Sequence, residues 1–99
     1  MSVEKKIKHT LSDNFELSHL EVINESHMHS GPNTETHFKV ILVSEQFEDV
    51  KLVQRHRKIN KLLKYELDNG VHALSLHLFT KSEWDTKGQS VKDSPLCAK

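Results

Sequence analysis

The chain has 99 residues and a formal net charge of zero, with 14 Lys and Arg balancing 14 Asp and Glu. This length predicts one domain with a modest core, and the lack of a long apolar run excludes a membrane-spanning helix. The single cysteine, Cys97, excludes an internal disulfide. We therefore expect a cytoplasmic domain over residues 1–84 that is held together by packing, with a flexible tail over 85–99.

Hydrophobic periodicity predicts the elements of the first half. Ser2 should cap a helix over residues 3–14, where apolar residues recur every four positions. Period-two alternation predicts a strand over 19–25, and the β-branched run 38–43 predicts a second strand. The segment 26–36 between them has the Gly, Pro, Asn and hydroxyl composition of a surface loop, so the two strands should pair antiparallel.

The second half begins with a turn over 44–49 and continues as one amphipathic helix over 50–67. The predicted apolar stripe of this helix consists of Leu52, His56, Ile59, Leu63 and Leu67. We expect the ring of His56 to be buried and hydrogen-bonded within the fold, because a histidine on an apolar face is more often a core residue than a ligand.

The chain then returns to a strand pattern. Asn69-Gly70 should end the long helix, and alternation predicts a third strand over 71–79. Thr80 and Glu83 have the spacing of a capping box, which predicts a last helical turn that packs Trp84 against the core. This order of elements predicts an α+β fold, in which helices cover one face of a three-stranded sheet.

The predicted helix over 50–67 also carries the strongest local charge excess, because no acidic residue occurs between Lys51 and Lys64. Most charge runs are simply solvated helix faces. A cationic patch on a neutral protein can also dock an anionic partner, which here means either the phosphates of DNA or an acidic protein. The candidate docking residues are Lys51, Arg55, Arg57, Lys58 and Lys61.

The eight histidines are the other unusual feature of the composition. Histidine ligates metals, but spacing by itself favours the interpretation that a loop histidine is solvated. A complete zinc or iron-sulfur cluster site needs about four protein ligands, and without paired cysteines this chain cannot supply a cysteine-ligated cluster site by itself. It could contribute two imidazoles to a site that another molecule completes. No serine lies in a nucleophile-elbow pattern and Cys97 lies in the predicted tail, so the residues offer no nucleophilic catalytic site.

Three segments together resemble the BolA family: HLEVINESHMH, ETHFKVILVSEQFEDVKLVQRHRKINKLLKYEL and VHALSLHLFTKSEW. The resemblance covers about residues 20–84. It implies a class II KH-like αββααβ topology, with a mixed three-stranded sheet and two helices between the second and third strands. It also implies a non-enzymatic adaptor that shares a [2Fe-2S] cluster with a monothiol glutaredoxin and its glutathione, in cluster trafficking or iron regulation. Bacterial members suggest the alternative, a DNA-binding regulator of transcription, stress response and cell morphology.

The resemblance also implies a ligand pair. His72, in the VHAL motif, matches the position that ligates the shared cluster in the family. The second ligand of the family is a histidine or cysteine in the loop between the first two strands. Counting three positions on from the serine of NES places it at His29, with His27 and His37 as the less favoured choices.

The sequence departs from the family pattern at three places. Asp49 replaces a usual glycine, Lys81 replaces a frequent proline, and the histidine loop is one residue shorter. Aspartate tolerates left-handed backbone better than most residues, so we expect the turn at Asp49 to be retained.

Overall fold

The computed structural model describes residues 2–26 and 35–89 of the chain. The elements are α1 Val3–Asn14, β1 His19–Asn24, β2 His37–Val43, a 3₁₀ turn Glu45–Phe47, α2 Leu52–Leu62, α3 Lys64–Asp68, β3 Ala73–Phe79 and α4 Lys81–Thr86. This order confirms the predicted α+β class and αββααβ topology, to which α4 is added. None of these helices combines the length and apolar character needed to cross a membrane.

The sheet has the order β1-β2-β3, with β2 at its centre. β1 pairs antiparallel with β2, so that His19 lies opposite Val43. β2 pairs parallel with β3, and His37 is in register with Ala73. The predicted mixed sheet is therefore confirmed, and β3 forms one of its edges.

Alternation along β2 divides the apolar side chains between the two faces of the sheet. Phe38, Val40 and Leu42 belong to the main core, which also includes buried residues of α1, α2 and the helix junction at Leu63. On the opposite face, a smaller cluster contains Ile41, Val43, Trp84 and the partly buried Phe79. The expectation that all helices share one face thus holds for α1, α2 and α3, whereas α4 contacts the other face.

Capping interactions define the starts of α1 and α4 as the sequence predicts. The hydroxyl of Ser2 accepts a hydrogen bond from Lys5 N at 3.2 Å, and Thr80 and Glu83 form the full capping box of α4. α4 then continues to Thr86, so the predicted domain end at residue 84 falls inside a helix. Trp84 is buried, as expected.

The prediction of one amphipathic helix over 50–67 is wrong. α2 ends at Leu62 and α3 begins at Lys64, because Leu63 has non-helical dihedral angles of −101° and 19°. Leu63 is fully buried in the main core, and Leu67 of α3 packs against the same core. Tertiary packing bends the chain at a residue that carries no local break signal, in agreement with the two helices that the family resemblance implies.

The predicted apolar stripe is also wrong at the start of α2. Leu52 is 58% exposed, whereas Arg55 is only 7% exposed. The guanidinium of Arg55 donates to Glu83 Oε1 at 2.6 Å and Oε2 at 3.2 Å, to the Val50 carbonyl at 2.8 Å and to the Leu78 carbonyl at 3.2 Å. The hydrogen bond from Arg55 lowers the pKa of Glu83, and the backbone N–H of Thr80 lowers it further. Four donated bonds allow the charged group to be buried.

The turn before α2 has the geometry expected from the sequence. Asp49 has a φ of 62°, in the left-handed region, where most side chains are disfavoured. Aspartate thus takes the backbone conformation for which glycine is better suited, and the turn is retained.

We expect Arg55→Lys to lower the free energy of unfolding by about 1–3 kcal/mol, because lysine cannot make the paired bond to Glu83 and serve both carbonyls. Urea unfolding followed by Trp84 fluorescence measures the loss. The matched control is Arg57→Lys, an exposed position on the same helix, which should change stability by less than about 0.5 kcal/mol. Equal losses in the two variants would contradict the structural role of Arg55.

Candidate functional site

Two histidines lie together where β2 and β3 begin. Parallel strands start at the same end of a sheet, so the register that places His37 beside Ala73 also brings His72 to this end. The backbone N–H of His72 donates to the Thr36 carbonyl at 2.7 Å. The ring centroids of His37 and His72 are 6.0 Å apart in an edge-on arrangement. We call these two side chains the histidine pair.

The orientation of His37 resembles that of a metal-binding histidine. Its Nδ1 lies 2.9 Å from the hydroxyl of Thr36. Metal-ligating histidines usually have a hydrogen-bonding group on the nitrogen that does not bind the metal, which fixes the ring. A metal bound by His37 would therefore use its Nε2.

The hydroxyl of Ser26 holds the start of β2 in place. Ser26 Oγ accepts hydrogen bonds from Thr36 N at 2.8 Å and His37 N at 3.0 Å, and it is almost fully buried. The Asn24 side chain accepts from Ser26 N at 2.9 Å. The NES motif thus anchors the start of β2. Sequence reasoning used this motif only as a family marker and did not identify this positioning role.

The favoured second ligand cannot be compared with this arrangement, because residues 27–34, with His27 and His29, lie outside the described residues. The described residues on either side of this gap are Ser26 and Glu35. Both flanking residues lie near the histidine pair, since Ser26 bonds to His37 and Glu35 directly precedes Thr36.

The histidine pair does not by itself make up a metal site. Within residues 2–26 and 35–89 no group of three or more His, Cys, Asp or Glu side chains could hold a metal ion. Two imidazoles fit the donor set expected for a [2Fe-2S] cluster only if thiolates complete it, as in clusters with mixed histidine and cysteine ligation.

The predicted docking residues divide into two groups. Lys51, Arg57, Lys58 and Lys61 are exposed and form what we call the basic face. Among the ion pairs of the described chain none involves these four residues. The ammonium of Lys58 lies 5.2 Å from the ring centroid of Phe15, which tethers that side chain to α1. Arg55, which the sequence placed in the docking set, is buried and does not belong to this face.

His77 is a titratable residue that the sequence analysis did not single out. It lies on β3, on the same face as Ser75, whose hydroxyl is 3.2 Å from its Nε2. Burial lowers the pKa of His77, and the positive charge of Lys39 lowers it further, with smaller opposing and reinforcing effects from Glu25 and Lys87. Period-two alternation could have placed His77 and Lys39 on the same face of the sheet. It could not have given the distance between them.

Comparisons with known proteins agree with this geometry. The family model described as BolA-like protein matches residues 11–83. The chain belongs to the BolA family. A protein of Haemophilus influenzae named DNA-binding transcriptional regulator BolA is 41% identical over 99 residues, which is 99% of this chain and 96% of the relative. A protein of Vibrio cholerae with the same name is 45% identical over 96% of this chain and 91% of its own length.

A solved BolA structure shares the fold. The solution structure of BolA1 from Mus musculus superposes with a TM-score of 0.82 at 36% identity, covering 100% of this chain and 80% of that one. The two bacterial relatives are named as regulators, and the fold class predicted from the sequence is that of the family.

We expect His77 to titrate below its ordinary pKa of 6.5. Since the folded protein then binds this proton less readily than the unfolded chain, stability should be full above that value and decrease as pH falls through it. Nitrogen-detected NMR titration of the rings measures the pKa directly.

Lys39→Met should raise the pKa of His77 toward its ordinary value, because it removes a nearby positive charge. Lys64→Met is the control, because Lys64 pairs with Asp68 at 2.7 Å on α3. If both substitutions shift His77 equally, the contribution of Lys39 is not specific.

Proposed function

We propose that this protein is a non-enzymatic adaptor that shares a [2Fe-2S] cluster with a monothiol glutaredoxin and glutathione. The observation that carries the proposal is the histidine pair, in which two rings from parallel strands lie 6.0 Å apart. Family membership supports it, because the resemblance implies a histidine ligand at His72. The role would be cluster trafficking or iron and redox regulation.

The donor chemistry explains why a partner is needed. Iron-sulfur clusters are held by about four ligands, mostly thiolates, and this chain has a single cysteine. Cys97 follows the described residues, whereas His72 is held in place by its bond to Thr36. The glutaredoxin and glutathione would supply the sulfur ligands. Bound there, the cluster would have a higher reduction potential than one held by four cysteines, because imidazole replaces thiolate.

The identity of the second imidazole is the open choice within the proposal. His37 is already beside His72 and is oriented by Thr36. His29 is the position that the family pattern favours. Both are candidates, with His27 as a further, less favoured one, and substitution can separate them.

Purified chain should be reconstituted with iron, sulfide, glutathione and a monothiol glutaredoxin. We expect His72→Ala to remove one of the two imidazole nitrogen hyperfine couplings in pulsed paramagnetic resonance spectra and to weaken cluster retention by at least about tenfold. One of His29→Ala, His37→Ala and His27→Ala should have the same effect, and the other two should be near wild type. The visible absorption spectrum reports cluster content in each sample.

His9→Ala is the matched control, since this exposed histidine pairs with Asp13 on the surface of α1. It should leave the spectra unchanged. The shared-cluster proposal is wrong if His72→Ala keeps full nitrogen coupling, or if the wild-type complex shows none.

The second candidate function is transcriptional regulation by DNA binding. It is favoured by the names of the bacterial relatives and by the exposure of the basic face. A helix that presents several unpaired cations can contact successive phosphates, and such binding weakens steeply with salt. The net charge of zero argues against strong non-specific binding.

Selection from duplexes with a random 20-base-pair core should yield a preferred sequence if this function holds. Arg57→Ala and Lys61→Ala should each weaken retention and reduce the salt dependence by about one phosphate contact. Lys64→Ala, whose lysine is paired with Asp68, should have little effect. Retention that is indiscriminate at physiological salt would exclude a regulatory role.

A further inference from the structure

The outer edge of β3 presents backbone groups without a strand partner. Ala73 N donates to Thr36 O and Phe79 O accepts from Ser44 N, so odd-numbered residues of β3 bond toward β2. Backbone direction alternates along a strand, and the N–H and C=O groups of Leu74 and Leu76 therefore point to the outer edge. In the described part of the chain β3 has no neighbour on that side.

Arg55 closes one end of this edge. Its guanidinium bonds to the carbonyl of Leu78, which is the next outward-facing residue. The ion pair with Glu83 holds the guanidinium there. The unpaired part of the edge is consequently short and ends at a defined position, a common way of limiting uncontrolled pairing between sheets.

A groove runs along the same edge. Two adjoining hollows of about 400 and 420 Å³ share Leu52, Leu78 and Phe79 in their walls. The first is also lined by Leu76 and Lys87. Leu52 is more than half exposed although it faces the groove. An exposed leucine beside unpaired strand edges is the combination found where extended peptides bind.

The charge of the groove is positive. Lys51 and Lys87 line it, and the negative charge of Glu83 is already paired with Arg55. The predicted burial of His56 is only partly realised, because this residue is half-buried in the groove wall. An acidic ligand therefore complements the groove, and a basic one does not.

We propose that the edge of β3 receives an extended segment of a partner protein, with apolar and acidic residues in alternation, as an added strand. Backbone bonds to Leu74 and Leu76 supply affinity, Leu52 and Leu78 contact the apolar side chains, and Lys51 and Lys87 pair with the acidic ones. At about 3.3 Å per residue, Leu74 lies roughly 7 Å and Leu76 roughly 13 Å from His72 along the strand. The peptide site uses the outward backbone groups of these leucines and the groove beyond them, and not the ring of His72.

A second copy of the chain fits this edge less well. Pairing two β3 edges would bring two sets of lysines together, which disfavours the contact. A nucleic acid strand would satisfy the lysines but would not use the outward N–H and C=O groups of a strand edge.

The test begins with a displayed library of random heptapeptides selected on the full chain. Enriched peptides should alternate β-branched or aromatic residues with Asp or Glu. Fluorescence anisotropy with synthetic copies measures affinity, and hydrogen exchange should show new protection at the amides of Leu74 and Leu76. N-methylation of the peptide at every second residue should weaken binding by at least about tenfold in one register only.

Leu52→Glu and Lys87→Glu should each weaken peptide binding by about tenfold or more. The matched control is Val53→Glu, because Val53 is 53% exposed on the same helical turn but does not line the groove. It should change the affinity by less than about twofold. His72→Ala should bind the peptide as wild type does, so failure here is distinguishable from failure of the cluster proposal.

Four results would overturn the proposal. Selection could yield no enriched sequence, or enriched peptides could bind Leu52→Glu as tightly as wild type. The Leu74 and Leu76 amides could already be protected in the peptide-free chain. A random single-stranded 20-mer DNA, or self-association abolished by Leu52→Glu, could produce the same protection and would assign the edge to nucleic acid or to a second copy.

Discussion

The parallel pairing of β2 with β3 is the constraint on which the rest of the structure depends. Parallel strands cannot be joined by a tight turn, so the chain must cross over the sheet through α2 and α3. The same pairing places the starts of both strands together and so brings His37 beside His72. It also leaves β3 at the edge of the sheet, where the groove lies. The positions of the histidine pair and of the groove along β3 therefore both follow from one strand register.

The Arg55–Glu83 ion pair holds α2, the first helix of the crossover, against the edge of the sheet. Arg55 comes from α2, Glu83 from α4, and the Leu78 carbonyl that shares the guanidinium comes from β3. A buried guanidinium is tolerated only when its donors are occupied, and here the carboxylate and two carbonyls occupy them. Arg55 thus stabilises the fold. The other cations of this segment are exposed and form the basic face.

Local signals in the sequence predicted the elements well. The cap at Ser2, the capping box at Thr80 and the alternation of the strands depend on residues close in sequence, and each is present in the structure. The break at Leu63 was not predictable from the pattern, because no proline or glycine marks it. Periodicity did not predict the exposure of Leu52 or the burial of Arg55. Which side of α2 is buried depends on the surface that packs against it, and that surface is formed by segments distant in sequence.

The sequence by itself determined the family, the α+β order, the basic segment and His72 as a ligand candidate, because motifs and periodicity are local properties. Only the tertiary structure decided that His37 adjoins His72, that Arg55 is internal, and that the outer edge of β3 borders a positive groove. These features join residues far apart in the chain. Their positions depend on strand register and helix packing, which arise when distant segments bury apolar surface together.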